Sequence, residues 1–165
     1  MPARRSAARL SPAWRLRTKP VNALAALLDE QEADEPWFLE PKDKRGGSEE
    51  ARQQEFFRLL PYVAPALNAY AVPNGARRTR WEAAKVKREG LKSGALDLVV
   101  TWNHGCAFPE FKNGSEMPTD NQRAQLNTLY RQGHRCGVFR TADALFLKLH
   151  EWGAPVNMRV LEGLR

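Results

Sequence analysis

Residues 94–112 read GALDLVVTWNHGCAFPEFK. This stretch holds two runs of strand-forming residues, LDLVVTW and CAFPEFK, with the short turn NHG between them. Two such runs on either side of a short turn predict a β-hairpin. One face of the first run carries only apolar residues, which are Leu96, Leu98 and Val100. Asp97 lies on the opposite face between two apolar neighbours, so we expect this strand to be covered on both sides.

Three ionisable residues of this hairpin indicate chemistry. Glu110 and Lys112 are two positions apart and therefore point to the same face of an extended strand. Paired strands run about 5 Å apart, so Asp97 can meet Glu110 across the hairpin. Converging carboxylates suit a hard divalent ion such as Mg²⁺ or Mn²⁺, beside which Lys112 would act on a water or a phosphate. The alternative is an ordinary solvated cluster of charges at a sheet edge.

The runs around the hairpin predict alternating helices and strands. SEEARQQEFFRLL predicts a helix with Ser48 as N-cap, and ALNAYAVPNG predicts a strand closed by a turn at Asn74 and Gly75. PTDNQRAQLNTLYRQG predicts a helix that Thr119 caps and Gly133 ends. RCGVFRT is a further strand, and ADALFLKLHEWG is a closing helix. With a basic helix before the hairpin, this order predicts an α/β fold with a mixed sheet.

Composition and charge limit the classes of partner. The chain of 165 residues carries a net charge of +7 and has a pI near 9.8, so we expect polyanionic partners, nucleic acid before anionic membranes. No stretch approaches the roughly 18 apolar residues of a spanning helix, and we therefore expect a soluble protein. Cys106 and Cys136 lack metal-binding spacing and are expected to be buried, reduced thiols.

Residues 1–47 differ in composition from the rest of the chain. The first 20 residues carry six basic side chains and no acidic one, which is typical of a disordered basic arm or, in a eukaryote, of a transit peptide. A short helix is expected over residues 21–31, followed by the polar linker EPKDKRGG. We therefore expect residues 1–47 to be arm and linker, and residues 48–165 to form the folded domain.

The segment RRTRWEAAKVKREGLK, residues 77–92, is the densest positive patch of the chain. Its basic side chains would contact the phosphates of a nucleic acid, and Trp81 would stack on an unpaired base. The candidate nucleic-acid-binding residues are Arg77, Arg78, Arg80, Lys85, Lys87, Arg88 and Lys92. The alternative is a solvated helix face that binds nothing.

Four motifs occur in an order that resembles a known family. They are VPNGARR, KREGLKSGALDLVV, FPEFKNG and TDNQRAQLNTLYRQGHRCGVFRTADA. Over about residues 48–153, the chain is similar to the virus-type replication-repair nuclease (VRR-NUC) domain of the PD-(D/E)xK nuclease superfamily. The resemblance implies an α/β fold with a restriction-endonuclease-like core, in which helices flank a mixed central sheet. It also implies a metal-dependent nuclease.

The resemblance assigns roles to individual residues. It makes Asp97 and Glu110 metal-binding carboxylates and Lys112 the catalytic lysine. It also implies a metal-binding, catalytic glutamate on the first helix, for which Glu49 and Glu50 compete. We favour Glu49, because it lies on the helix stripe that should face the sheet.

The glutamine that follows the ExK strand in this family matches Gln122. Its catalytic role competes with a structural one, because Thr119 and Gln122 also form a TxxQ capping box. Gln122 lies at the start of an apolar helix stripe and should therefore point to the sheet. The stripe consists of Leu126, Leu129 and Tyr130. Both roles stay open at this point.

Two departures from the family pattern bear on activity. Leu96 stands directly before Asp97, where members of the family usually have proline. Pro109 stands directly before Glu110, and proline cannot donate a hydrogen bond to a sheet ladder. A bulge at Pro109 would displace Glu110 and with it the metal.

The leading prediction is a Mg²⁺- or Mn²⁺-dependent DNA endonuclease, selective for branched DNA, in the cytoplasm of a bacterial or phage-infected cell. It would serve DNA repair or recombination. The alternative is a catalytically impaired DNA-binding module of the same fold. Because one small domain offers one active site, we also predict a homodimer on a two-fold substrate such as a four-way junction. Its interface would use Leu145, Leu149 and Trp152, unless these pack on the protein's own sheet.

Overall fold

The computed structural model describes residues 36–42, 47–73, 81, 85, 88, 90, 92 and 94–164. Its strands are β1 (Phe38–Leu39), β2 (Asn68–Ala71), β3 (Leu98–Trp102), β4 (Gly105–Phe111) and β5 (Arg135–Phe139). Its helices are α1 (Glu49–Val63), α2 (Asp120–Arg131), α3 (Ala142–Glu151) and α4 (Met158–Gly163). The predicted basic arm and the predicted helix over residues 21–31 lie outside the described residues.

The five strands form one mixed sheet in the order β1-β5-β4-β3-β2. Strands β1, β5 and β4 run parallel, whereas β3 is antiparallel to both β4 and β2. The predicted hairpin of β3 and β4 is therefore confirmed. The predicted α/β fold, with helices flanking a mixed central sheet, is confirmed as well.

Helices cover the sheet on both faces, as the apolar patterns require. Helices α1, α3 and α4 bury the larger hydrophobic core against one face, where Phe56 and Phe111 are fully buried. Helix α2 buries a smaller cluster with Leu126 against the other face. Both cysteines are free, as expected, but only Cys136 is buried, and Cys106 is half-buried.

The two faces of β3 are not covered equally. Leu98 and Val100 are fully buried in the larger core, whereas Val99 and Thr101 on the opposite face are half-buried. Leu96 lies in the smaller cluster and not beside Leu98, because β3 begins only at Leu98 and strand alternation does not reach back to Leu96. The expected cover on both faces is therefore complete on one face only.

The sheet begins upstream of residue 48, where the sequence placed the start of the domain. Strand β1 pairs in parallel with β5 at the sheet edge. Trp37 is only 3% exposed and donates its indole N–H to Asn127 Oδ1 at 2.9 Å. Gly137 permits this close pairing, because a Cβ there would lie 2.6 Å from the carbonyl oxygen of Phe38. The folded domain thus includes residues 36–42, which the sequence assigned to the arm.

The predicted helix ends are present. Ser48 Oγ accepts the N–H of Ala51 at 3.1 Å, and Thr119 caps α2. Gly133 follows α2 with a φ of 80°, a conformation that glycine adopts without steric cost. No helix in the described part of the chain has both the length and the apolar character to cross a bilayer.

The closing helix α3 packs on the protein's own sheet. Leu145 and Leu149 are fully buried in the larger core. Trp152 is half-buried, and its ring meets Phe139 edge-on with 6.1 Å between centroids. The second of the two interpretations of this stripe is therefore correct, and these residues do not offer a dimer interface.

Candidate active site

Asp97 and Glu110 face each other where the pairing of β3 with β4 ends. The last ladder pair at this end is Val100 with Ala107, and three residues further along each strand the same register sets Asp97 opposite Glu110. Here side chains replace the backbone as acceptors. Glu110 Oε2 accepts the N–H of Asp97 at 3.1 Å, and Asp97 Oδ2 accepts the N–H of Phe111 at 2.9 Å. The two carboxylates are thereby fixed to each other's strand.

Pro109 does not displace Glu110. Strand β4 stays in register with β5 through this point, where Pro109 pairs with Gly137. The next N–H groups alternate, with Lys112 donating to β5 and Phe111 donating toward β3. By this alternation the missing N–H of Pro109 faces β3, beyond the last ladder pair, so the pairing with β5 keeps all its hydrogen bonds. The bulge that would have moved Glu110 is absent at this described position.

Lys112 connects the strand carboxylate to the first helix. Its Nζ lies 2.9 Å from Glu110 Oε1 and donates a hydrogen bond to Glu49 Oε1 at 3.1 Å. Lys112 is only 7% exposed and Glu110 is fully buried, so their contact is shielded from water, whereas the side chain of Glu49 is 38% exposed. Glu50 instead accepts a hydrogen bond from Gln54 at 3.2 Å on the exposed side of α1. The fold therefore brings Glu49 to the cluster and leaves Glu50 outside it.

Gln122 has both of the contacts that its two interpretations require. Its Oε1 accepts the backbone N–H of Thr119 at 2.9 Å, and its own N–H donates to Thr119 Oγ1 at 3.4 Å, which completes the capping box. Its Nε2 donates at short range to Glu110 Oε1. One side chain therefore closes the first turn of α2 and also orients the buried carboxylate. The apolar stripe of α2 is shorter than predicted, because Tyr130 is 46% exposed.

Burial dominates the protonation of this cluster. Burial, reinforced by the negative charge of Asp97, raises the pKa of Glu110 to about 7. Burial also raises the pKa of Asp97, against the lowering effect of the hydrogen bond from the Phe111 N–H. Burial alone would lower the pKa of Lys112, but the carboxylates of Glu110 and Glu49 together raise it above its usual value. Lys112 therefore stays an ammonium, whereas burial makes the carboxyls of Asp97 and Glu110 harder to ionise.

An acidic cleft of about 890 Å³ opens on this cluster. Its described lining contains no lysine or arginine, and its acidic members are Glu49, Glu50, Asp97 and Glu116. Within the described part of the chain, Asp97 Oδ1 accepts no hydrogen bond and is available to a ligand. Carboxylate oxygens of this kind fit a hard divalent cation. The described residues contain no group of three or more His, Cys, Asp or Glu side chains gathered closely enough to hold a metal ion.

Arg140 holds the loop beside the cleft, although the sequence did not single it out. It is fully buried, and its guanidinium donates to the carbonyl oxygens of Glu40 at 3.1 Å, Asn113 at 3.2 Å and Glu116 at 2.9 Å. The loop that follows Lys112 is thereby fastened to the segment after β1. An arginine directly after a buried strand is the only sequence signal, and it does not reveal these distant partners.

The predicted nucleic-acid-binding segment is described at only a few positions. Four of its candidates, Arg77, Arg78, Arg80 and Lys87, lie outside the described residues. Trp81, Lys85 and Arg88 have helical backbone, and these three residues and Lys92 are exposed. Lys85 Nζ lies 6.0 Å from the centre of the Trp81 ring. The role of this segment in binding stays a prediction.

The mixed sheet with helices on both faces defines the restriction-endonuclease-like α/β class, and the aspartate and the ExK pair lie where β3 begins and β4 ends. The sequence matches no family model and no curated protein. Among solved structures, it is similar to a chain titled "VRR_NUC domain protein", with a TM-score of 0.53 and 21% sequence identity. The match covers 65% of this chain and 88% of that chain. The protein therefore has the VRR-NUC fold.

Proposed function

We propose that this protein is a metal-dependent DNA endonuclease that hydrolyses phosphodiester bonds. The observation that carries the proposal is the convergence of Asp97, Glu110 and Lys112, with Glu49 and Gln122 in direct contact with them, beside a cleft that Asp97 and Glu49 line. The VRR-NUC fold supports a nuclease-type domain. Helix α1, the hairpin of β3 and β4, and helix α2 supply these side chains. An incidental cluster of surface charges would not need contributions from three elements.

Each residue of the cluster has a task in this proposal. Lys112 supplies a permanent positive charge, which orients the attacking water and offsets the negative charge that develops on the phosphate. Glu49 and Glu110 hold the ammonium from two sides and so restrict its rotation. Gln122 fixes the carboxylate of Glu110 from the third side.

Asp97, Glu110 and Glu49 are the residues that would hold Mg²⁺ or Mn²⁺. When bound, such an ion polarises the phosphate and lowers the pKa of a water molecule. Two features of the cluster support this assignment. Asp97 Oδ1 has no hydrogen bond within the described residues, and the raised pKa values of Asp97 and Glu110 mark carboxyls that a nearby cation would favour in their ionised form.

Affinity for DNA has to come from surfaces outside the cleft in this proposal. The described lining of the cleft is acidic and would repel phosphates. We assign non-specific binding to the basic segment at residues 77–92, with Trp81 available to stack on an unpaired base.

The preference for branched DNA and the homodimer are proposals of the same kind. One active site per chain cannot cut two strands symmetrically without rebinding, whereas a two-fold dimer offers two sites to a two-fold junction. Light scattering at micromolar concentration tests the dimer, and a monomeric mass would refute it. Competition between a four-way junction and a duplex of equal length tests the selectivity, and equal cutting rates would refute that.

The alternative is an impaired binding module of the same fold. The sequence suggested it because a bulge at Pro109 would displace Glu110, but β4 keeps its register with β5 through Pro109 and Glu110. Both carboxylates and the lysine are present and in contact.

Cleavage of labelled duplex and branched DNA with Mg²⁺, Mn²⁺ or chelator tests the endonuclease. Glu110→Ala should abolish cutting and leave DNA affinity within a few-fold of the wild type, because contacts from basic residues dominate affinity. Glu162→Ala removes an exposed carboxyl on α4 and should cut like the wild type. Cutting by Glu110→Ala at the wild-type rate, or cutting by the wild type in excess chelator, would overturn the proposal.

A further inference from the structure

A second cavity lies at the other end of the sheet from the acidic cleft. It has a volume of about 580 Å³ and is lined by residues of β1, β5, α3 and the end of α2. Arg135, at the amino end of β5, lines this cavity, whereas Glu110 pairs with Val138 near the carboxyl end. The linings of the cavity and of the cleft share no residue, so the two are separate surfaces.

The charge of this cavity is opposite to that of the cleft. Its described lining includes Arg131, His134, Arg135 and Lys148 and contains no carboxylate. Lys148 already pairs with Glu151, with 2.6 Å between Nζ and Oε2. Arg131 and Arg135 form no ion pair with any carboxylate in the described part of the chain. Among these residues, two guanidinium groups at one opening thus lack a counter-charge, which an anionic ligand would supply.

Aromatic rings lie at the same opening. Tyr130 is 46% exposed, and Phe38 and Trp152 are half-buried. The guanidinium of Arg135 also lies 5.5 Å from the ring centre of Trp102, which is not part of the cavity lining. An exposed ring beside guanidinium groups without a carboxylate partner suits a ligand that carries both an aromatic base and a phosphate.

We propose that this cavity, the basic-aromatic pocket formed by Tyr130, Arg131, Arg135 and Trp152, binds an unpaired nucleotide of the DNA substrate. The proposal rests on the proposed function and adds a second point of contact to it. Arg131 and Arg135 contact the phosphate, and Tyr130 stacks on the base. The faces of a base inside a duplex are covered by its neighbours, so only an unpaired base offers a face to Tyr130. The volume lies within the range of about 300 to 1,000 Å³ that small-ligand sites occupy.

The position of the pocket sets the kind of DNA that would use it. A substrate with an unpaired strand beside the duplex that enters the cleft would contact the pocket and the cleft together. An intact duplex would contact only the cleft and the basic segment. The pocket thus gives a physical basis for selecting branched DNA.

Fluorescence anisotropy with a labelled single-stranded 12-mer, measured in chelator so that nothing is cut, tests the pocket. Arg131→Ala/Arg135→Ala should bind about tenfold more weakly, and the salt dependence should flatten by roughly 0.7 for each phosphate that the variant no longer neutralises. Tyr130→Ala should lose about tenfold in affinity at an unchanged salt slope, because stacking involves no counter-ion. Tyr130→Phe keeps the ring and should bind normally. Arg58→Ala/Arg159→Ala removes two exposed arginines elsewhere and is the matched control.

The possible results separate this proposal from the proposed function. Equal affinity and equal salt slope for the pocket variant and the control variant would refute the pocket. Dependence on the two arginines without dependence on Tyr130, with inorganic polyphosphate competing as well as DNA of equal charge, would refute the nucleotide and leave a plain anion site. A protein that binds the 12-mer through the pocket but cuts no DNA with Mg²⁺ or Mn²⁺ would refute the endonuclease alone.

Discussion

The buried carboxyl of Glu110 makes the stability of the metal-free protein depend on pH. Its pKa is raised from 4.5 to about 7 in the folded state. Between these two values the folded protein keeps a proton that the unfolded chain has lost, so stability is full below the unfolded pKa and falls as pH rises. At about 1.36 kcal/mol for each pKa unit, the shift corresponds to about 3 kcal/mol. Roughly 2 kcal/mol of this should be lost between pH 5 and pH 8.

Glu110→Gln removes this titration at nearly constant volume. Urea unfolding followed by tryptophan fluorescence, in chelator between pH 5 and pH 8, measures the free energy of unfolding. The wild-type value should fall by about 2 kcal/mol more than that of the variant. The quantity compared is the change of the unfolding free energy with pH, not its absolute value. The side-chain amide of Gln sets an N–H group against one of the donors around position 110 and therefore lowers stability at every pH. Glu162→Gln, with its exposed side chain on α4, should follow the wild type.

Parallel curves for the wild type and Glu110→Gln would refute this reasoning. They would mean that Glu110 is ionised throughout the range, and that Lys112 and Gln122 fully offset the cost of its burial. A wild-type stability that rises with pH relative to the variant would have the opposite sign and would mean that folding lowers the pKa of Glu110.

Two further predictions concern the residues around the carboxylates. Lys112→Met keeps most of the side-chain volume, and Glu110 can take up a proton once the ammonium is gone. We therefore expect a folded protein that does not cut DNA. An unfolded variant in circular dichroism, or a variant that cuts normally, would mean that Lys112 is only a structural partner of Glu110. Arg140→Met leaves three backbone carbonyls without their donors and should lower the free energy of unfolding by about 3 kcal/mol. The control Arg159→Met should change this free energy little. A decrease under about 1 kcal/mol for Arg140→Met, measured by urea unfolding, would show that the loop does not depend on Arg140.

The parts of the fold that the sequence predicted are those with local signals. The hairpin was predictable because its two runs, its turn and its alternation all lie within about 20 residues. The position of Glu49 beside Lys112 was predictable, because helix periodicity decides which of two adjacent glutamates faces the sheet. Its role in metal binding stays a prediction. The two roles of Gln122 could not be separated from the sequence, and the fold explains why: the capping box and the contact with Glu110 use different atoms of one amide.

The parts that the sequence did not predict depend on contacts between distant segments. Strand β1 has only two residues, too few for any periodicity, and it exists because Gly137 lets it approach β5. The environment of Arg140 combines carbonyls from residues 40, 113 and 116, which no local pattern connects. The basic-aromatic pocket likewise joins the end of α2 to β1 and α3. Sequence patterns specify elements, whereas sites between elements follow from their packing.

Pro109, a departure from the family pattern, fits the geometry of the cluster. The N–H of Phe111 points toward β3, so Phe111, Pro109 and Ala107 occupy the hydrogen-bonded positions of β4 on this side. Pro109 has no N–H to donate, and the described ladder stops two residues earlier, at Ala107. Glu110 therefore lies at a non-hydrogen-bonded position opposite Asp97, where facing side chains approach most closely. The proline ends the ladder at the point where two carboxylates must meet, and it keeps the parallel pairing with β5 intact.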